Sequence, residues 1–318
     1  MSIKKVTPFP LVPRRRILGI GFGSFAVRAK GPGFEYFGSR EIQPGDDPRR
    51  INQKMSGRHS ALRDEDVVFV NEHHAERSIR VVVLIDRSPR MALYPDPWLS
   101  KPDIAAFAGQ TIVASAKRVG ALVGYLDFAD WGIASSKNRQ IFWRPPNQET
   151  ESQKIQAKYL LHEHFMAPDD NIGLGLRYLL EQMYEVSQDT FVFVVSDFLL
   201  MPEKNILRQA CQLWDVIPVV VQDPTWEMSF PVWDEPLLMK LLSPLFPTLL
   251  PMGNPGDSGK IVGLGQGDAV RQRRFNTERE ARIRLDFKEF GLDPVWLSSP
   301  DRTKLDRAFA LWASRRRG

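Results

Sequence analysis

Four mainly apolar blocks, rich in β-branched residues, constrain this chain more than anything else in it: Ile79–Ile85, Ala121–Phe128, Phe191–Val195 and Val216–Val221. A strand with one wet face alternates apolar and polar residues, whereas a run that is apolar throughout needs cover on both faces, which a parallel sheet between two helical layers provides. The intervals agree, because Asp103–Val119, Gln153–Phe165, Gly173–Val186 and Glu203–Trp214 carry helical patterning. Strands alternating with helices predict an α/β fold with a doubly wound, mainly parallel sheet in three layers, α/β/α. Downstream, Ile261–Leu264 reads as a short strand and Pro294–Leu297 as the last core strand. Arg271–Phe290 reads as a charged helix that turns Phe275, Ile283, Phe287 and Phe290 inward. Leu305, Phe309 and Trp312 give the final helix one apolar face.

Ahead of this body lies a different kind of sequence. Residues 1–33 are rich in Pro, Gly and Arg and favour extended chain, Phe34–Ile42 and Val67–Asn71 read as strands, and Gln43–Pro48 supplies turn residues. The reading is a basic β extension over residues 1–75, packed on a body of 76–318 that is interrupted by a Pro-rich irregular insertion at about 224–260. Residues 1–63 hold 13 basic and 4 acidic residues, leaving 30 basic and 34 acidic in the rest, so the front end attracts acidic partners or the body itself. Arg14-Arg15-Arg16 before a weakly apolar run has the look of a twin-arginine export signal, but the run continues into structural sequence, and a cytoplasmic location is expected. No apolar run is long enough to span a bilayer. The single cysteine, Cys211, sits on an apolar helix face and is expected to be a buried, inert thiol.

In an open parallel sheet, ligands meet the carboxyl ends of the strands. Asp86 ends the first core strand in Asp86-Arg-Ser-Pro-Arg90, Asp197 ends another, and Asp169-Asp-Asn171 precedes a helix. This set resembles the metal-ion-dependent adhesion site of von Willebrand factor A domains, with Asp86, Ser88 and Asp197 at family positions. The resemblance implies a magnesium or calcium ion on hard oxygen ligands. Two positions depart: Arg90 stands at the second serine, and Asp170-Asn171-Ile172 replaces Thr-Asp-Leu. A fixed cation ~4 Å from a divalent ion would cost about 8 kcal/mol at an effective dielectric near 20. Arg90 is therefore expected to bridge Asp86 and Asp197 in place of the metal, leaving a degenerate site, with a metal-dependent adhesion-type domain as an alternative.

A longer pattern runs from Gly33 through Pro44-Gly-Asp46-Asp47-Pro-Arg49-Arg50-Ile-Asn52 and Ser56-Gly-Arg58 into Asp86-Arg-Ser88. In order and spacing it resembles the bacterial domain of unknown function 58 family. That resemblance implies a von Willebrand factor A-like body, and a non-enzymatic adaptor or co-chaperone working with a MoxR-type AAA+ ATPase in assembling or maturing a protein complex. Asn52-Gln53 departs from the family's Asp-Trp and removes a carboxylate. Asp46, Asp47, Arg49 and Arg50 have two readings, a recognition surface for the partner, or caps and ion pairs that pin their own loop. The partner-binding set is thus Asp86, Ser88, Arg90, Asn171 and Asp197, with that loop beside it.

Enzyme motifs are lacking. His73-His74 and His162-x-His164 lack metalloprotease spacing, Gly19-Ile-Gly21-Phe-Gly23 lacks a preceding strand and a P-loop lysine, and no nucleophile elbow occurs. Nucleic-acid binding is the reading from another class, carried by Arg14–Arg16 and Arg315–Arg317 as exposed basic triplets, without a recognised nucleic-acid module.

Overall fold

The computed structural model describes residues 6–13, 36–43, 51–63, 67–73, 79–92, 100–129, 141–147, 165–182, 184–187, 190–230, 248–250, 262–264 and 266–317. The chain divides into two compact units, one made of Met1–Val12 with Ile79–Gly318 and the other of Pro13–Ser78.

The smaller unit pairs strand β1 (Tyr36–Glu41) antiparallel with β2 (Phe69–His73), and helix α1 (Gln53–Arg63) lies between them in sequence. Asn52 ties these elements together. Its Oδ1 accepts from the Met55 amide at 3.1 Å, as a helix cap does, while its Nδ2 donates to Asn71 Oδ1 at 2.8 Å and Ser39 Oγ at 3.2 Å. An aspartate could form the cap but could not donate to Asn71, which gives the departure at position 52 a local reason. Ser56 Oγ accepts from the Phe69 amide at 2.8 Å and locks the helix to β2.

The larger unit contains β3 (Arg80–Ile85), α2 (Lys101–Arg118), β4 (Leu122–Asp127), β5 (Phe142–Asn147), α3 (Asn171–Glu181), β6 (Thr190–Ser196), α4 (Lys204–Leu213) and β7 (Asp215–Val221). It continues through β8 (Thr248–Leu250), β9 (Val262–Leu264), α5 (Gln266–Glu289), β10 (Val295–Leu297) and α6 (Arg302–Arg315). Six strands form one sheet in the order β10-β7-β6-β3-β4-β5, parallel except for β5. The alternation of β3 sorts its side chains between two cores. Val81, Val83 and Ile85 pack with α2 and α6, and Val82 and Leu84 pack with α3, α4 and α5. The expected α/β class with a mainly parallel, helix-flanked sheet is what the structure has.

Differences have physical causes. β5 escaped the sequence pattern because its Arg144-Pro-Pro146 run lacks β character, yet it lies at a sheet edge and its pairing with β4 is irregular between Val123 and Tyr125, where the prolines fall. A side chain at Gly124 would meet Pro146 Cδ at 2.9 Å and the Arg144 carbonyl at 3.0 Å, so β4 carries glycine where β5 crowds it. Phe275 is 56% exposed and lies against Arg279, contrary to the expected inward face, whereas Ile283 and Phe287 are buried. Cys211 is only partly buried. The helix expected over Gln153–Phe165 falls, but for its last residue, outside the described residues. Among the described residues no helix is long and apolar enough to cross a membrane.

Residues 6–12 pack into the larger unit. Phe9 is 3% exposed, stacks on Phe309 at 4.7 Å between ring centres, and meets Trp312 and Phe193 edge-on. Its amide donates to the buried Ser115 Oγ at 2.9 Å. Phe9→Ala should therefore destabilise the protein by about 3–5 kcal/mol, as for a core aromatic, measured by urea unfolding; a loss within the scatter of surface substitutions would place Phe9 outside the core.

Candidate functional site

β3 and β6 are neighbours, but the chain leaves β3 for β4 on one side and β6 for β7 on the other, so their carboxyl ends open onto the topological switch point. Register does the positioning. Ile85 faces Val195 and the Asp86 amide donates to the Val195 carbonyl at 2.9 Å, which sets Asp86 beside Ser196 and Asp197. Asp86 Oδ1 accepts from the Ser88 amide at 2.7 Å and Asn171 Nδ2 at 2.8 Å, and Oδ2 accepts from Ser196 Oγ at 2.6 Å. Burial, and then the charge of Asp197, push the Asp86 carboxyl above its ordinary range. Asn171, the first residue of α3, also accepts from the Arg87 amide at 3.3 Å, so it clamps the loop after β3.

The cation at the centre is Lys101. It is fully buried, and its ammonium donates to Asp197 Oδ2 at 3.1 Å, to the Arg90 carbonyl at 3.2 Å and to Glu227 Oε1. Burial would discharge this lysine, but Asp197 and Glu227 outweigh it and hold its pKa above the ordinary value. Glu227 Oε2 accepts from the Asp223 amide at 2.8 Å. Burial holds the Glu227 carboxyl above its ordinary range, with Lys101 opposing the rise and the adjacent Asp197 adding to it. Phe198, just after it, has φ +52°, a left-handed conformation rare outside glycine. The Asp197 and Ser196 side chains hold that turn by accepting from the Leu199 amide at 3.0 Å and the Phe198 amide at 3.1 Å.

Arg90 does not bridge Asp86 and Asp197 as expected. It lies in a single 3₁₀ turn, Pro89–Ala92, that sends its side chain outward while its carbonyl faces Lys101. The guanidinium pairs with Asp169, Nη1 to Oδ1 at 3.2 Å and Nη2 to the carbonyl at 3.2 Å, and only Nε comes within 3.7 Å of Asp197 Oδ2. Ser88 Oγ is buried and has no hydrogen-bond partner among the described residues. Lys101, Ser196 and Glu227 were missed from sequence. The signal for Lys101 was a basic residue opening a helix, where the helix dipole disfavours positive charge.

Asp46, Asp47, Arg49 and Arg50 lie outside the described residues, as do Arg14–Arg16. Two of the three residues Arg315–Arg317 are engaged: the partly buried Arg316 holds Asp215 through two contacts at 2.8 and 3.2 Å, and the exposed Arg315 pairs with Asp293 at 3.0 Å. The strand-end set does not suit a divalent ion. The Asp86 oxygens already accept three hydrogen bonds whose donors would face the ion, and an ammonium sits on Asp197.

A family model described as "Protein of unknown function DUF58" matches residues 38–234, more than half of the chain, and the chain belongs to that family. No curated protein gives a match. Among solved structures, the chain is similar to proximal thread matrix protein 1 from the mussel byssus at 15% identity and a TM-score of 0.31, covering 46% of this chain and 38% of that one. It is also similar to the PilB minor pilin from Streptococcus sanguinis (10%, TM-score 0.34, 79% and 64% covered) and the adhesive tip pilin GBS104 from Group B Streptococcus agalactiae (11%, TM-score 0.30, 73% and 93% covered). The chain thus spans less than two thirds of the first two, and at these TM-scores the likeness extends to neither ligand nor partner.

Removing the Asp197 charge leaves Lys101 buried with one of its two counter-ions gone, so Asp197→Asn should cost about 3–5 kcal/mol at neutral pH. Burial alone would raise the Asp197 pKa, but Lys101 and then Arg90 bring it below the ordinary 3.8. Its stabilisation is therefore complete above that value and lost as pH falls through the folded-state pKa, while the raised Asp86 and Glu227 act in the opposite direction. Urea titrations of both proteins should show a stability gap that narrows in acid; a gap independent of pH would contradict the assignment.

Proposed function

We propose that this chain is a von Willebrand factor A-like adaptor without catalytic activity of its own, which holds a partner protein on the strand-end face, the partner being a MoxR-type AAA+ ATPase. The observation that carries this reading is the mutual locking of the polar groups there. Asp86, Lys101, Asp197 and Glu227 are buried and hydrogen-bonded to one another or to their own loops, so they order a surface instead of presenting a reactive group. The groups that reach the rim are Arg90, 14% exposed at its side chain, and Asp169, 56% exposed. Loops fixed by a rigid base, with a charged rim, suit protein recognition. The choice of partner is what the resemblance to the domain of unknown function 58 family implies, and the ion pair that engages the Arg316 side chain argues against a nucleic-acid surface at that residue.

The test is affinity capture with the full chain, followed by binding measurements on the ATPase recovered. Arg90→Ala and Asp169→Ala, each checked by circular dichroism for an unchanged melt, should weaken binding roughly tenfold, as for charged rim contacts. Folded variants with full affinity would move the contact off this face. Recovery of no ATPase would remove the proposed partner.

A further inference from the structure

The three oxygens around the Lys101 ammonium come from a carboxylate on the β6 loop, a carboxylate on the 223–230 turn and a main-chain carbonyl of the 3₁₀ turn: Asp197 Oδ2, Glu227 Oε1 and Arg90 O. Among the described residues, these hydrogen bonds of the ammonium all go to oxygen. Carboxylate and carbonyl oxygens converging on one point are the ligand type that hard cations take, and an ammonium with three donors is the side-chain cation that can satisfy the same three acceptors. The occupant is tethered, since Lys101 opens α2 and its stem is wholly buried. Lys101 and Arg90 together offset Asp197 and Glu227; with Lys101 removed, the two carboxylates and the Arg90 guanidinium at 3.7 Å from Asp197 leave one net negative charge for an entering cation to meet.

We infer that the Lys101 ammonium is the resident occupant of an all-oxygen cation site made by Asp197, Glu227 and the Arg90 carbonyl, and that removing this side chain turns the cradle into a divalent-cation site. The parent protein is then fixed in the occupied state and indifferent to divalent ions. This goes beyond the adaptor reading and needs no partner to test.

The probe is manganese alone, followed by the electron paramagnetic resonance signal of the free ion and by thermal melting of the full chain. The parent should leave the signal unchanged at millimolar manganese and melt at one temperature with metal or chelator. Lys101→Ala should gain at least about tenfold in manganese affinity over the parent. Its melting temperature should rise with the ion, as for a ligand that binds the folded state alone. If Lys101→Ala is too unstable to purify folded, its refolding yield from denaturant should be higher with manganese than in metal-free buffer with chelator. Lys101→Ala combined with Asp197→Asn should lose the gain. Tight manganese binding by the parent, a folded Lys101→Ala without gain, equal refolding yields, or a gain that survives Asp197→Asn would each overturn the inference.

Discussion

Everything at the strand ends depends on the parallel pairing of β3 with β6. Because Ile85 stands opposite Val195, the next peptide donates across the sheet and Asp86 arrives level with Ser196. A one-residue slip would turn each strand over and send the alternating residues of β3 into the wrong core. Both faces are filled, by α2 and α6 on one side and α3, α4 and α5 on the other, so hydrophobic packing fixes the register and the register fixes the carboxylates. The left-handed Phe198 belongs to the same constraint. The chain must turn sharply after β6, and two side-chain acceptors hold the strained conformation instead of a glycine.

The electrostatics follow from that placement. Two carboxylates buried at one point repel each other, and burial penalises both, so the site requires a cation close at hand. Lys101 supplies it at an unfavourable location, the first turn of a helix, and a lysine without counter-charge there would be discharged. Neither half is stable alone. Such clusters contribute less to net stability than an apolar replacement of equal volume, but lose much when one partner is removed. Their value lies in fixing one arrangement of the loops.

The β-branched blocks made the sheet legible, because a strand buried on both faces has no polar alternation to be mistaken for anything else. Asp86 and Asp197 were legible for the same reason, lying where such strands end, and Asn171 by its place in a polar cluster at a helix start. The cation was not. Arg90 stood inside the motif and drew the assignment, while Lys101 lay a short distance further on at a helix start, and no periodicity marks a charge that folds inward. Glu227 was hidden in a Pro-rich stretch read as an irregular excursion, and β5 was hidden by Pro145 and Pro146. In each case tertiary contacts, rather than local preference, decided the outcome.

The placement of Glu227 shows how far the site extends beyond its own loops. The 223–230 turn is held from outside by α5, whose buried Asn276 donates to the carbonyls of Trp226 and Ser229 and whose Arg279 donates to the Glu227 carbonyl at 2.8 Å. Asp223 Oδ1 closes the turn by accepting from the amides of Thr225 and Trp226. α5 has the composition of a solvated surface helix, yet two of its polar residues fix the carboxylate that completes the cradle around Lys101. Four chain segments, the loop after β3, the start of α2, the end of β6 and the turn under α5, therefore meet at one ammonium. Under the adaptor reading proposed above, a partner at this face would meet a surface whose shape is set from beneath by a cation of the chain itself, and recognition would fall to the rim side chains, Arg90 and Asp169.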